Sequence, residues 1–218
     1  MKNIKMIIFD LDGTLVNTLE DLAVSTNEAL KLYGYQEHSI EAYRHFVGNG
    51  IYKLIERALP KDSRTEETVN LLKEAFITYY DAHLTDYTNP YEGIEEMLEK
   101  LKEEGIQLAV VTNKPHVQAL RVVEACFKPG TFMQVVGQQD GVPHKPDPTV
   151  IRKMLDTYGL VEEEVLYIGD SDVDMQTARN AKLRGIGVAW GFRGEEELRE
   201  NGAYAVLEKA EELLQYIK

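Results

Sequence analysis

The 218-residue chain has one cysteine, a deficit of positive charge and no long apolar run. Cys126 stands alone, so no intrachain disulfide can form, and we expect a buried, unreactive thiol on a helix. Lysine and arginine number 24 against 37 aspartates and glutamates, which gives a net charge of -13. This excess of negative charge argues against nucleic acids and anionic membranes as partners, because the field of the chain repels phosphate groups.

The apolar run nearest the N-terminus, Met6 to Phe9, is too short for the core of a signal peptide or for a membrane span. We therefore expect a soluble cytoplasmic protein with no membrane partner. Nothing in the pattern decides between a monomer and a homodimer.

The spacing of apolar residues divides the chain into two kinds of segment. Met6 to Phe9 predicts a strand buried on both faces, as in a parallel sheet. Residues 17–85 show helical stripes only, with no strand signal before Ile106. From residue 86 strand and helix signals alternate, which indicates a doubly wound parallel sheet. The predicted fold class is α/β, with a core of residues 1–16 and 86–218 and an all-helical domain, residues 17–85, inserted after the first strand.

Local signals predict several helix ends. The segment from Ser63 to Glu66 fits a capping box, and Pro115 suits the first position of a helix. Asp172 is the expected cap of a later helix, and a final helix is expected to run to Ile217.

Polar residues follow three predicted strands, and a fourth polar segment lies in a loop. In an open parallel sheet, ligands bind beyond the carboxyl ends of the strands, so these segments are candidates for a functional site. They are Asp10-Leu11-Asp12-Gly13-Thr14, Thr112-Asn113-Lys114, Gly169-Asp170-Ser171-Asp172-Val173-Asp174 and His144-Lys145-Pro146-Asp147-Pro148.

Carboxylates dominate two of these segments. Asp10 and Asp12 project in similar directions from a strand end, and their repulsion requires an offsetting charge, for which a hard cation such as Mg²⁺ is suited. Gly13 lets the backbone turn closely around a bound anion. Asp170 and Asp174 add carboxylates from a second strand, although an acidic first helical turn is a structural alternative for them.

The other two segments offer groups for an anion. Thr112 supplies a hydroxyl, and its neighbours supply backbone N–H groups near a helix start. Lys145 supplies a compact positive charge in an otherwise acidic site. A solvated surface lysine is the alternative, and the other three segments favour the functional interpretation.

Together, the four segments resemble the haloacid dehalogenase superfamily of phosphatases, and the resemblance covers the whole chain. It implies a Rossmann-like core, and the helical insertion looks like the family's type 1 cap. Three segments are similar to bacterial phosphoglycolate phosphatases: Phe46 to Gly50, Val110 to Pro115, and Lys145 to Pro148.

The resemblance implies a mechanism through an aspartyl-phosphate with Mg²⁺ as cofactor. Asp10 would be the nucleophile, and Asp12 would protonate the leaving oxygen and then activate water. Thr112 and Lys145 would complete the catalytic set by binding phosphate oxygens. The implied metal residues are Asp10, Asp12 through its carbonyl, Asp170, and Asp174 in support. The implied phosphate- and substrate-binding residues are Gly13, Thr14, Asn113, Lys145, Asn49 and Gly50.

The leading hypothesis is a phosphomonoester hydrolase for a small phosphorylated metabolite, with 2-phosphoglycolate as the first candidate. A sugar phosphatase, a pyrophosphatase and a β-phosphoglucomutase-like phosphomutase are alternatives, as is a non-catalytic binding module. Arg44 and Lys53 flank the loop around Gly48-Asn49-Gly50, here called the cap loop. They could meet a substrate carboxylate, and the alternative is that both are solvated helix residues. Tyr80 and Trp190 are expected in the core, and Arg193 at the surface.

Overall fold

The structure, a computed structural model, describes residues 3–217. In chain order its strands and α-helices are β1 Met6–Phe9, β2 Val16–Asn17, α1 Leu19–Leu32, α2 Gly50–Ala58, α3 Glu66–Ala82, β3 Asn89–Pro90, α4 Ile94–Glu103, β4 Gln107–Pro115, α5 His116–Cys126, β5 Gln134–Gln138, α6 Thr149–Tyr158, β6 Val165–Gly169, α7 Asp172–Ala181, β7 Arg184–Val188, α8 Glu195–Glu200 and β8 Ala205–Leu207. Short 3-10 helices cover Ile40–His45, Lys61–Ser63, Glu162–Glu164 and Ala210–Tyr216. Within residues 3–217, no helix is long and apolar enough to cross a membrane.

A six-stranded sheet in the order β5-β4-β1-β6-β7-β8 forms the centre of the fold, and every neighbouring pair is parallel. The side chains of β1 alternate between two apolar cores, with Ile7 and Phe9 in one and Met6 and Ile8 in the other. Because β1 is buried on both faces, its short sequence is apolar throughout. The predicted α/β fold with a doubly wound parallel sheet is confirmed.

Helices α1 to α3 form the insertion between β2 and β3, together with the 3-10 helix Ile40–His45. Helix α3 packs against both α1 and α2. It does so through one stripe of side chains at helical spacing, Val69, Leu72, Phe76 and Tyr80. The insertion therefore has an apolar interior of its own, and this interior is continuous with the core on one face of the sheet. The domain boundaries at residues 17 and 85 stay a prediction.

Two short strands join the insertion to the sheet domain. Strands β2 and β3 are antiparallel, with Val16 opposite Pro90 and Asn17 opposite Asn89. Asp21, in α1, accepts a hydrogen bond from the Thr88 hydroxyl at 2.6 Å and ties the second linker to the first helix. The expectation of no strand before Ile106 was wrong, because two residues are too few to show a strand period.

The predicted helices differ from those observed near Ser63, at Pro115 and at the last segment of the chain. Helix α3 is capped by Thr65, which accepts a bond from the Thr68 N–H, while Ser63 ends a separate 3-10 turn. Pro115 lies just before α5 because its extended backbone continues β4. The last segment, Ala210–Tyr216, is a 3-10 helix. Capping and helix type depend on local geometry that composition does not specify.

Cys126 lies at the C-terminal end of α5 and is half-buried. Burial is the main factor that raises the pKa of its thiol to about 11. The thiol is therefore protonated near neutral pH and a poor nucleophile, as expected from the sequence.

Candidate active site

The site lies beyond the carboxyl ends of three adjacent strands, β4, β1 and β6. Asp10 follows β1 directly, and Asp170 follows β6 directly. Phe9 is in register with Val110 of β4 and Ile168 of β6, which brings both aspartates and the end of β4 to the same edge. Sheet order alone therefore assembles residues that are about 160 positions apart in the sequence.

Three carboxylates meet at this edge. Oxygen atoms of Asp10, Asp170 and Asp174 all lie within 4.8 Å of one another, and all three residues are buried. Burial raises the pKa of Asp10 to about 6, against the opposing effect of Lys145. Burial, followed by repulsion from Asp174 and Asp10, raises the pKa of Asp170 well above its usual value. The cluster thus carries more negative charge than its buried surroundings easily accommodate.

Lys145 partly neutralises the cluster. Its Nζ lies 2.9 Å from Asp10 Oδ1 and 2.8 Å from Asp174 Oδ1, and it donates to the Tyr167 hydroxyl at 3.2 Å. Burial disfavours a charged ammonium, but Asp10 and Asp174 hold the pKa of Lys145 well above its usual range. The sequence also allowed a solvated surface position for Lys145. In the structure Lys145 is buried among its partners.

Both carboxylate oxygens of Asp174 accept hydrogen bonds from protein groups. Its Oδ2 accepts from the Ser171 N–H at 3.1 Å and the Ser171 hydroxyl at 2.7 Å, while its Oδ1 faces Lys145. Ser171 is therefore the N-cap of α7, and the expected cap, Asp172, is the first residue of that helix. The side chain of Asp174 completes a capping box at the third helical position.

Asp170 is oriented by the loop after β1 and by the loop after β7. Its Oδ2 accepts from the Phe192 N–H at 2.7 Å, and its Oδ1 accepts from the Thr14 hydroxyl at 3.3 Å. Gly13 packs against the same carboxylate with a φ of +82°, and a Cβ there would lie 2.3 Å from Asp170 Oδ2. The structure thus places Gly13 and Thr14, predicted to bind phosphate, around a carboxylate.

The donor set fits a hard divalent cation. Asp10 Oδ1 is buried and accepts no well-directed hydrogen bond, although Lys145 is nearby, so it retains a lone pair. Three close carboxylates supply the oxygen ligands that Mg²⁺ prefers. The Asp12 carboxylate lies outside this cluster and faces Lys114 instead. Of the four residues expected to hold the metal, Asp12 could contribute only through its backbone carbonyl.

The end of β4 faces both the cluster and the insertion. Thr112 lines the cavity, and its Oγ1 accepts from the Lys114 N–H at 3.2 Å. Asn113 is committed to the backbone: its Oδ1 accepts from the Lys145 N–H at 2.8 Å, and its Nδ2 donates to the carbonyl oxygens of Lys145 and Gly48. The side chain of Asn113 therefore positions the loop that carries Lys145 and the cap loop at Gly48.

A cavity of about 50 Å³ lies between the strand ends and the insertion. The insertion contributes a mostly apolar wall, made by Leu22, Val47, Gly48, Gly50, Ile51, Leu54 and Tyr80. Gly50, one of the two predicted cap residues, lines the cavity. Asn49, the other, accepts a hydrogen bond from Arg57 at 2.7 Å and caps α2 by position.

Two arginines cross between the insertion and the sheet domain in opposite directions. Arg44 donates to the Gly191 carbonyl at 2.9 Å, and Arg193 donates to the carbonyls of Arg44 and, at 2.9 Å, Val47. The Arg193 side chain is only 10% exposed, so the expected surface position was wrong. Lys53 forms an ion pair with Glu56, within α2.

Sequence reasoning gave no functional role to three contributors to the cavity: Lys114, Tyr80 and Arg193. Lys114 belongs to the polar segment Thr112-Asn113-Lys114 that was predicted to follow a strand, but only its two neighbours were assigned to the site. Tyr80 belongs to an apolar stripe at helical spacing, and nothing in the pattern separates its hydroxyl from an ordinary core position. The role of Arg193 depends on contacts with residues nearly 150 positions away.

The chain belongs to the haloacid dehalogenase-like hydrolase family, whose pattern matches residues 7–188. Within that family it is similar to proteins called phosphoglycolate phosphatase. That of Mannheimia succiniciproducens is 38% identical over 194 residues, covering 86% of this chain and 87% of its own. That of Haemophilus influenzae strain Rd is 35% identical over 216 residues, covering 96% of each chain.

Solved structures agree with this placement. The crystal structure of a predicted phosphoglycolate phosphatase from Haemophilus somnus superposes with a TM-score of 0.91 at 30% identity, covering 100% of each chain. The whole fold, including the insertion, is therefore shared with that structure.

Proposed function

We propose that this hydrolase removes phosphate from a small phosphomonoester, with 2-phosphoglycolate as the first candidate substrate, through an aspartyl-phosphate on Asp10 and with Mg²⁺ as cofactor. The observation that carries the proposal is the buried cluster of Asp10, Asp170 and Asp174 with Lys145 in contact. The names of the relatives support the choice of substrate.

Asp10 suits the role of nucleophile. One of its oxygens would attack phosphorus, and the bond from phosphorus to the ester oxygen would break. With a pKa of about 6, the carboxylate is mostly ionised near neutral pH, as the attack requires. Lys145, 2.9 Å away, would offset the charge that accumulates on the phosphoryl oxygens.

Asp12 suits the role of general acid and base. In its acid form it would give a proton to the departing oxygen, which leaves as an alcohol. The resulting carboxylate would then take a proton from water, whose oxygen attacks phosphorus and breaks its bond to Asp10. Lys114, 3.1 Å from Asp12 Oδ1, holds this side chain away from the three-carboxylate cluster.

Asp10, the Asp12 carbonyl and Asp170 would hold Mg²⁺, with Asp174 in support through Lys145. When bound, the cation would offset the repulsion between the anionic carboxylate and the anionic phosphate. Thr112 would donate its hydroxyl to a phosphoryl oxygen.

Phosphate release from a panel of substrates tests the proposal: phosphoglycolate, sugar phosphates, nucleotides and pyrophosphate, each with Mg²⁺ and with EDTA. Asp10→Asn should abolish turnover, while the matched control Asp147→Asn, at an exposed loop position, should not. A covalently phosphorylated protein that loses its phosphate on treatment with hydroxylamine would support the aspartyl-phosphate intermediate. Activity that survives Asp10→Asn or EDTA would overturn the mechanism.

The same panel separates the alternative functions. A preference for sugar phosphates or pyrophosphate would replace phosphoglycolate as substrate, and transfer to a sugar in a single turnover would indicate a mutase. Inactivity on every ester would favour a binding module. The cytoplasmic location and the monomeric or dimeric state stay predictions.

A further inference from the structure

Lys114 and Tyr80 meet at the boundary between the sheet domain and the insertion. Lys114 lies near the end of β4, Tyr80 lies in α3, and both are buried and line the cavity. The Lys114 Nζ donates to the Tyr80 hydroxyl and to Asp12 Oδ1, at 3.1 Å from the latter. A cation and a phenol thus stand beside the residue that faces the leaving group in the proposed mechanism.

Both groups retain hydrogen-bonding capacity that close contacts with protein groups do not use. An ammonium has three N–H donors. Asp12 Oδ1 and the Tyr80 oxygen take two of them, and the third has only a long contact of 3.4 Å to Asp12 Oδ2. The Tyr80 hydroxyl accepts from Lys114, and among the described residues no acceptor receives its own proton. Burial raises the pKa of Tyr80 to about 12, so the phenol keeps that proton near neutral pH.

The other cations near the cavity are committed to protein groups. Arg193 is bound to backbone carbonyls of the cap loop, and Lys145 contacts Asp10 and Asp174. Arg44 pairs with Glu41 and the Gly191 carbonyl. Within residues 3–217, Lys114 is therefore the cavity-lining cation whose third donor has only a long contact, at 3.4 Å, with a protein oxygen.

The remaining wall offers little to a substrate rich in hydroxyl groups. Leu22, Ile51 and Leu54 line it from the insertion, and Phe192 lines it from the sheet domain. A sugar hydroxyl against these side chains would lose its hydrogen bonds to water without replacement. The volume, about 50 Å³, corresponds to a few water molecules and suits a short leaving group.

From these observations, and resting on the proposed phosphatase function, we propose that Lys114 and the Tyr80 hydroxyl bind a carboxylate on the leaving group and so select phosphorylated small acids. The carboxyl carbon would lie two bonds beyond the ester oxygen, because Lys114 contacts Asp12, which faces that oxygen. Two donors converging on one carboxylate reject a neutral analogue, since their hydrogen bonds would then go unmade.

The test compares phosphoglycolate with 2-hydroxyethyl phosphate, in which a neutral CH₂OH group replaces the carboxylate. The measured quantity is the ratio of the two kcat/KM values. Lys114→Met and Tyr80→Phe should each lower this ratio about tenfold or more. The matched control Tyr79→Phe removes the hydroxyl of the neighbouring tyrosine, which stacks on His83, and should leave the ratio unchanged.

The ratio separates selection from general damage. A disturbed Asp12 would slow both esters equally, so variants that lower both rates and keep the ratio would overturn the proposal while leaving the phosphatase function intact. Wild-type protein with equal kcat/KM for the two esters would overturn it as well.

Binding gives a readout that does not depend on turnover. Calorimetric titration of Asp10→Asn protein should show tighter binding of phosphoglycolate than of 2-hydroxyethyl phosphate, and this difference should disappear when Tyr80→Phe is added. Equal binding of both esters by the Asp10→Asn protein would contradict the proposed carboxylate site. A preference for phosphoglycolate without any turnover by the wild-type protein would contradict only the proposed reaction.

Discussion

The strand ends of the sheet and the helical insertion face each other across one cavity, yet they carry opposite kinds of side chain. The sheet side holds three clustered carboxylates, two of which contact Lys145. The insertion side is mostly aliphatic, and Tyr80 provides its main polar group. Buried charges depend on exact partners, whereas an apolar wall depends mainly on shape and volume. Substitutions on the sheet side should therefore affect the chemistry, and those at the boundary should affect the choice of substrate.

The largest effect is expected at Asp170, at the centre of the sheet side. Asp170→Asn keeps the size of the side chain but removes a charged oxygen from the proposed metal site, and kcat should fall about a thousandfold at saturating Mg²⁺. Mg²⁺ should also lose its ability to raise the Tm. The matched control is Asp172→Asn, two residues away in the first turn of α7, with kcat within about threefold of wild type.

The next effect concerns stability and Lys145. Lys145→Met leaves buried carboxylates without their cation, and the free energy of unfolding without metal should fall by about 3 kcal/mol near neutral pH. The pKa of Lys145 is raised in the folded state, so its stabilisation is fully present below the usual lysine pKa. Chemical denaturation would measure the loss. Lys153→Met, at an exposed position of α6, should change stability by less than about 0.5 kcal/mol.

Burial of the Asp10 carboxylate predicts a smaller effect on stability, of opposite sign. Its folded-state pKa, about 6, exceeds the usual value of 3.8, so between these values the folded protein binds the proton more tightly than the unfolded chain. The contribution of Asp10 to stability therefore declines as the pH rises through this window. Near neutral pH and without metal, Asp10→Asn should stabilise the protein by on the order of 1–3 kcal/mol.

Thermal unfolding in EDTA across the pH range measures this difference between wild type and Asp10→Asn. The two curves should converge towards pH 4, where Asp10 is protonated in the folded wild type. An Asp10→Asn protein that is less stable than wild type near neutral pH would show that the contact with Lys145 outweighs the cost of burying the carboxylate.

The smallest effect is expected at the boundary between the two sides. Arg193→Lys keeps the charge but loses the forked donors that reach the carbonyls of Arg44 and Val47. The cap loop should then be held less closely, and KM should rise about tenfold while kcat changes less. Steady-state kinetics would check this, with Arg199→Lys in α8 as the matched control. A fall in kcat with KM unchanged would assign Arg193 to the chemistry instead.

The same contrast explains what the sequence revealed. The sheet side was predictable because buried strands give strong apolar runs, and the polar residues that end them stand out against such runs. Asp10, Asp170 and Thr112 were identified in this way, whereas Lys145, in a loop, was identified through its association with these segments. The insertion gave helical stripes, from which its architecture followed, but a tyrosine in a stripe looks like any other core residue.

Contacts between distant segments were not predictable from local pattern. Arg193 and the cap loop are joined by hydrogen bonds to backbone carbonyls, which leave no trace in residue spacing. The family resemblance implies that Asn113 and Thr14 bind phosphate, and this stays a prediction; in the structure their side chains form hydrogen bonds with Lys145 and Asp170. Position beside a functional residue does not decide which way a side chain turns.

The paired linker strands have a consequence for the history of such molecules. The chain leaves the sheet domain at Val16 and returns at Pro90, directly opposite. The two covalent links of the insertion therefore lie side by side on the core. The entropy of closing a loop grows only with the logarithm of its length, so a large insertion between such links is tolerated. An ancestral gene could gain, lose or exchange the insertion as one unit. The strand ends would keep their chemistry, while a different insertion would line the cavity and select a different substrate.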